Sequence, residues 1–332
     1  MGPFFVVRSR CAPGIRVTIA AIAPSRTPWE GIVQDNPLIK IALPIAIAVI
    51  MCGIGLTLRG SDFRRIGENP KPVLIGVLGH YLLLPSLGFA MAWLFPMSPE
   101  FAVGLVLVAA CPSGSTSNAL TFLARGNVAL AVTLTVISAL ITFVSVPLLV
   151  NLALQFFAGE TREIRLPVGQ TILHLAVLVL IPVLLGMGIR RYASGFAVRV
   201  EPWVSKFALG FLLLLIVAIS VAERERLPEW LSQLGPAALT LCCSAIGLGY
   251  LLGRISGLAL RDSITVGMEV GVQNSTLAIV IALSLLQSPQ IAMPGAVYGL
   301  LMYLPALAMV VLGRRAVARE EARASVSDIP GS

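Results

Sequence analysis

Charge is what this sequence has least of. Only 12% of its 332 residues are Asp, Glu, Lys or Arg, against 57% hydrophobic, and its mean hydropathy is +0.91. So little charge excludes an ordinary soluble domain. Short alternating apolar segments are also lacking, and with them the pattern of a transmembrane barrel; the apolar runs are unbroken and about twenty residues long. Cysteine is sparse: Cys11, Cys52, Cys111, Cys242 and Cys243 have no metal-ligand spacing and read as free packing thiols. The net charge of +8 sits in short clusters between apolar runs, which reads as membrane topology and not as a nucleic-acid surface. The chain is therefore expected to be an all-α polytopic membrane protein.

Residues 1–36 are expected to form an N-terminal tail. Arg8, Arg10, Arg16 and Arg26 surround one apolar patch, Val17 to Ala23, that is too short to span a bilayer or to serve as a signal-peptide core. From Pro37 the apolar spans come regularly, at roughly 37–58, 73–95, 101–124, 128–155, 168–189, 206–222, 236–253, 263–287 and 294–313. That gives a transporter-sized membrane domain over 37–314 with nine helices, or ten if residues 10–30 hold another. With residues 315–332 as a cytoplasmic tail, fifteen basic residues, from Arg59 and Lys71 to Arg319 and Arg323, fall inside. The opposite loops hold only Arg162, Arg165, Arg224 and Arg226; nine helices would also leave the four arginines of the tail and Lys40 outside, which a tenth helix in residues 10–30 would repair. This bias places the C terminus in the cytoplasm, in the inner membrane of a bacterium. The charged stretch from Glu223 to Glu229 reads as a solvated loop.

Two spans are interrupted by polar runs. In Met268-Glu-Val-Gly-Val-Gln-Asn-Ser-Thr276 a carboxylate lies roughly 10 Å along a helix from Asp262, at ~1.5 Å per residue. An acid at membrane depth costs roughly 2.5–3.5 kcal/mol on insertion scales, so it marks an ion or substrate path. In Cys111-Pro-Ser-Gly-Ser-Thr-Ser-Asn118, proline removes a donor and glycine loosens the helix. Both spans are expected to unwind at mid-membrane. The second lies five spans after the first, and an odd offset sets the two halves in opposite orientations, as in inverted-repeat transporters.

These residues suit a cation without a metal cofactor. Hydroxyls of Ser117 and Thr135, amide oxygens of Asn118 and Gln273, unwound carbonyls and the Glu269 carboxylate supply the oxygens a hard monovalent ion prefers. An anionic substrate would be met by half-helix N-termini and by Ser115, Thr116 and Asn274. Such a site couples the two ligands, because without the cation the anion would face the carboxylate unscreened.

At these residues the chain resembles the bile acid:sodium symporter family. The run from Cys111 to Leu130 is similar to its first signature, Glu269 to Ser275 to its second, and Gly53 to Phe63 is a third match; the resemblance covers roughly 37–312. It implies a core domain with two crossed, discontinuous helices rocking against a panel domain, with spans 1, 5 and 6 as panel. It also implies a first sodium site at Ser117, Asn118, Thr135 and Glu269. There the family pattern expects one more hydroxyl where this chain has Ala131. A second sodium site is implied at Glu269, Gln273 and the carbonyls of Val270 and Val272, with His80 in place of the usual glutamine. Substrate contacts are implied at Asn274 and Ser275, and in the last span at Met302 and Tyr303.

The resulting expectation is a sodium-coupled importer of a small organic anion, with sodium as the coupling ion, no cofactor, no catalytic residues and no nucleic-acid partner. Two alternatives stay open: proton coupling through His80 and Glu269, and a different class, a non-transporting sensor or an intramembrane enzyme. On bland readings, Ser117 and Thr135 bond back to their own helices, His174 is structural, and Pro85, Pro147 and Pro182 mark kinks.

Overall fold

The structure is a computed structural model, and it describes residues 37–58, 67–158, 168–222 and 224–327. The expected N-terminal tail, including its four arginines, lies outside the described residues, as do Arg59, Arg64, Arg65, Arg162 and Arg165. Every named element among the described residues is helical. In chain order they are α1 (Pro37–Thr57), α2 (Pro70–Leu94), α3 (Pro99–Ala110), α4 (Ser115–Leu123), α5 (Val128–Ala153), α6 (Val168–Leu175 continuing through Ala176–Leu180 and Ile181–Tyr192), α7 (Ser194–Ala222), α8 (Leu227–Ile255), α9 (Leu260–Gly271), α10 (Ser275–Ser284), α11 (Pro289–Leu301) and α12 (Tyr303–Ser327).

Six of these stretches are long and apolar enough to cross a membrane: Pro70–Leu94, Val128–Phe157, Gly169–Tyr192, Ser194–Ala218, Leu227–Ile255 and Pro289–Arg323. The other expected crossings fall on shorter apolar helices, Ile41–Thr57, Pro99–Ala110 and Ser275–Ser284. The chain is a multi-pass membrane protein. Its outer helices show why: α7 turns Trp203, Leu213 and Leu214 outward, where only lipid would accept them. By contrast every residue from Phe101 to Ala110 of α3 is buried, as are those of α10 from Ser275 to Leu283.

Two helices carry the same device. In α2 a π turn, Gly79–Leu83, precedes Pro85; in α6 a π turn, Ala176–Leu180, precedes Pro182. A proline ring clashes with the carbonyl four residues back, and the wider turn relieves that clash without ending the helix. In α2 the π turn also carries His80 into the interior. Gly79 lets α9 approach there, since a β-carbon would lie 2.8 Å from Val270 Cγ2.

Helices α1, α6 and α7 pack on one another. Gly55 and Gly186 set the closeness of α1 and α6: a β-carbon on either would collide with backbone of the other helix, at Val183 or at Cys52. The remaining helices pack around α3, α9, α10 and α11, and α9 lies against α8 over much of its length. At one end of this group Asn127 Nδ2 donates to Asp262 at 2.8 Å, and Glu321 of α12 takes both Arg125 at 3.1 Å and Arg261 at 2.7 Å. These bonds tie α4, α9 and α12 together.

Two expectations need amendment. The charged stretch after α7 is not all loop, because α8 begins at Leu227 and holds Glu229 in its first turn, where a carboxylate meets the positive helix end. The helix that ends the last span also continues to Ser327, so residues 315–327 of the expected tail are helical.

Candidate cation and substrate site

Both polar runs are unwound where the sequence places them. Residues 111–114 separate α3 from α4, and residues 272–274 separate α9 from α10. The two segments cross and pair as a short antiparallel bridge between Ser113 and Gln273. Gly114 N–H donates to Val272 O at 3.1 Å, and Asn274 N–H donates to Pro112 O at 2.9 Å. Each unwound segment thus satisfies the other, as buried backbone away from water requires. Four helix ends meet here: the C-termini of α3 and α9 and the N-termini of α4 and α10. Asn274 Oδ1 caps α10 by accepting from Leu277 N–H at 3.0 Å, whereas α4 starts at Gly114 with no side-chain cap.

Glu269 lies at the crossing, 1% exposed. Its Oε2 accepts from Ser113 Oγ at 2.6 Å and from Thr135 Oγ1 at 3.0 Å, and its Oε1 from Ser117 Oγ at 2.5 Å. Asn118 Oδ1 lies 3.4 Å from Thr135 Oγ1. Among the described residues no Lys or Arg pairs with Glu269. The expected first cation group, Ser117, Asn118, Thr135 and Glu269, is therefore brought together from α4, α5 and α9. Ser117 also reaches back to Gly114 O at 2.7 Å, so the bland reading holds beside the other.

Of the expected second group, Gln273 folds back on the end of α9. Gln273 Nε2 donates to Glu269 O at 3.1 Å and Val270 O at 2.8 Å, while its buried Oε1 has no partner. His80 Nε2 lies 3.0 Å from Cys111 O, and a carbonyl accepts only, so that nitrogen carries the proton. A neutral His80 keeps its lone pair on Nδ1.

Thr116, Asn274, Ser275 and Tyr303, with Met302, line one small cavity of about 40 Å³ beside the crossing. Ser275 Oγ is buried there without a partner. The backbone of Ser115 opens α4; its side chain lies outside what the structure describes. A second cavity of about 580 Å³ shares Thr116 and Ser205 with the first and runs past Asn118 to Thr57, Arg190 and Glu201, between α1, α6 and α7 and the crossing. A larger cavity of about 1200 Å³, rimmed by Arg190, Arg191 and Arg199 at the α6–α7 turn, holds none of the expected site residues.

Sequence reasoning missed Ser113, the hydroxyl nearest Glu269 Oε2, and Ser138, whose Oγ lies 3.3 Å from Ser113 N. Ser113 lies in the polar run already singled out; what the run could not show is that pairing with Gln273 turns this side chain toward Glu269.

Comparison with known proteins bears on this geometry. The model of the sodium bile acid symporter family matches residues 44–230. This chain belongs to the sodium bile acid symporter family. The chain is 35% identical over 265 residues to "Uncharacterized sodium-dependent transporter YocS" of Bacillus subtilis (strain 168), covering 77% of this chain and 78% of that one. It is 33% identical to "Probable sodium/metabolite cotransporter BASS2, chloroplastic" of Oryza sativa subsp. japonica, over 81% of this chain and 63% of that one. It is 32% identical to "Probable sodium/metabolite cotransporter BASS1, chloroplastic" of Arabidopsis thaliana, over 76% and 62%. The chain thus spans less than two thirds of the two plant relatives. These are transporters and not enzymes.

Proposed function

We propose that this symporter imports a small organic anion together with sodium by alternating access. The observation that carries the reading is Glu269, a buried carboxylate ringed by Ser113, Ser117 and Thr135 with no basic partner among the described residues. A buried acid needs a counter-charge, and a set of oxygens alone suits a hard monovalent cation. Sodium is held first by Ser117, Asn118, Thr135 and Glu269. Gln273, the carbonyls of Val270 and Val272 and the His80 ring form a second position, supported by the unpartnered Gln273 Oε1. In it Gln273 exchanges its amide nitrogen for its oxygen toward the carbonyls it now caps.

The anion's charged group meets Thr116, Asn274, Ser275 and Tyr303 at the small cavity, with Ser115 at the uncapped N-terminus of α4, and the rest of the molecule extends into the adjoining cavity of about 580 Å³. Sodium makes that position tenable. Two like charges about 6 Å apart at an effective dielectric of ~20 repel by ~3 kcal/mol, and a bound cation cancels this term. Sodium and substrate therefore favour each other.

Helices α1, α6 and α7 act as the panel against which the remaining helices rock, and the cavity past Thr57 and Arg190 is the cytoplasmic path to the site. Nine crossings, in two inverted halves, put the C terminus in the cytoplasm of a bacterial inner membrane. Uptake into proteoliposomes tests this reading. A panel of radiolabelled 2-oxo acids, hydroxy acids and bile acids is offered under an inward sodium gradient, and separately under a proton gradient in potassium. Sodium-driven uptake of at least one anion, lost in Glu269→Gln, is expected. Uptake driven by protons alone would instead establish coupling through Glu269 and His80. Capture of an anion without any uptake would point to a sensor.

A further inference from the structure

We propose that Ser113 Oγ is a sodium ligand of this symporter and supplies the oxygen that Ala131 cannot. The inference rests on the sodium reading above and extends it to a residue outside the expected set. Ser113 is fully buried, and its Oγ lies 2.6 Å from Glu269 Oε2, 3.2 Å from Thr135 Oγ1 and 3.4 Å from Ser138 Oγ. Thr135 Oγ1, already in the expected set, likewise reaches three side-chain oxygens, those of Ser113, Asn118 and Glu269, so the two hydroxyls sit at the same cluster.

Its position is fixed from both sides. The bridge to Gln273 locks its backbone to the second broken segment, and its N–H donates to Ser138 Oγ at 3.3 Å. A hydroxyl held in place loses little freedom on binding an ion. Proton accounting favours the same role. Ser113 has one proton and three acceptors in reach, so when a cation takes up the Glu269 carboxylate, the proton can turn to Ser138 or Thr135. The lone pairs then face the ion and no donor is stranded. Ser138 can accept it, because its own proton goes to Thr135 O at 2.9 Å.

Ala131 lies one helical turn before Thr135 on α5 and is fully buried, but presents only a methyl group. A hydroxyl there would face the same cluster. The oxygen absent from α5 is thus provided from the crossing segment, with Ser113 and Ala131 as complementary positions.

The test uses full-length purified protein in detergent. Melting temperature is titrated with sodium against potassium at fixed ionic strength for wild type, Ser113→Ala, Ser113→Ala with Ala131→Ser, and Glu269→Gln. Loss of one oxygen ligand is expected to raise the half-saturating sodium concentration of Ser113→Ala by about tenfold. The added Ala131→Ser is expected to bring it back to within about threefold of wild type, and Glu269→Gln to show no sodium response. Should Ser113→Ala not fold, Ser113→Cys keeps the side-chain volume and replaces the hard oxygen by sulfur, and the same loss is expected. Unchanged sodium dependence in these variants overturns the proposal. A loss that Ala131→Ser does not repair also overturns it, and leaves Ser113 as a residue that only positions Glu269. If the wild type itself shows no sodium-specific shift, the sodium reading fails first and Ser113 with it.

Discussion

The Glu269 carboxylate accepts hydrogen bonds from the hydroxyls of Ser113, Ser117 and Thr135. On the proposed sodium coupling, a sodium ion and a proton compete for the same oxygens. The sodium-bound form holds fewer protons than the free one, so apparent sodium affinity falls as pH is lowered through the titration of this carboxylate. Sodium titrations at several pH values check the sign; affinity that rises in acid would contradict it. Replacing Thr135 removes an oxygen from the cluster and the hydroxyl 3.4 Å from Asn118 Oδ1. Thr135→Val is expected to weaken sodium binding about tenfold with little change in melting temperature in potassium. At this scale the sequence showed which residues carry charge and hydroxyls inside the membrane. It did not show which nitrogen of His80 carries the proton, because that follows from the contact with Cys111 O, or that Ser113 faces the carboxylate, because that follows from the distant pairing of Ser113 with Gln273.

Helix breaks were legible for a physical reason. Proline and glycine at Pro112 and Gly114, and the polar run around Gln273, are costly in an apolar span unless their backbone groups find partners. The structure supplies those partners by crossing the two breaks. The π turns before Pro85 and Pro182 were legible only as expected kinks, since a wide turn and a bend answer the same missing hydrogen bond. Glycine contacts between helices were not legible, because they depend on which faces meet. They give a prediction of their own. Gly186→Leu places a large side chain where even a β-carbon meets the Cys52 carbonyl, so it is expected to destabilise the α1–α6 contact by about 1–3 kcal/mol or more. Thermal melts of detergent-solubilised protein read this; an unchanged melting temperature would mean that α1 and α6 do not pack as described. Glu321 offers a contrast, because its pairs with Arg125 and Arg261 are about half exposed. Glu321→Gln is expected to shift the same melt only slightly.

For the whole molecule, composition already dictated a multi-pass helical membrane protein, and its basic loops predict that the C terminus is cytoplasmic. A C-terminal fluorescent-protein fusion is expected to be bright and a C-terminal alkaline-phosphatase fusion inactive; the reverse pattern would invert the topology. The cavity that runs from Thr116 to Thr57 and Arg190 shares Thr116 and Ser205 with the small cavity beside the crossing. The central claim is that sodium completes the folded site at Glu269. Thermal stability of wild type and Glu269→Gln, titrated with sodium against potassium at constant ionic strength, tests it without knowledge of the substrate. An ion that binds only the native state adds ~2.7 kcal/mol when present at 100 times its dissociation constant, so a sodium-specific rise in melting temperature is expected in the wild type and none in Glu269→Gln. Equal melting in sodium and potassium, or a sodium shift that survives in Glu269→Gln, would contradict it.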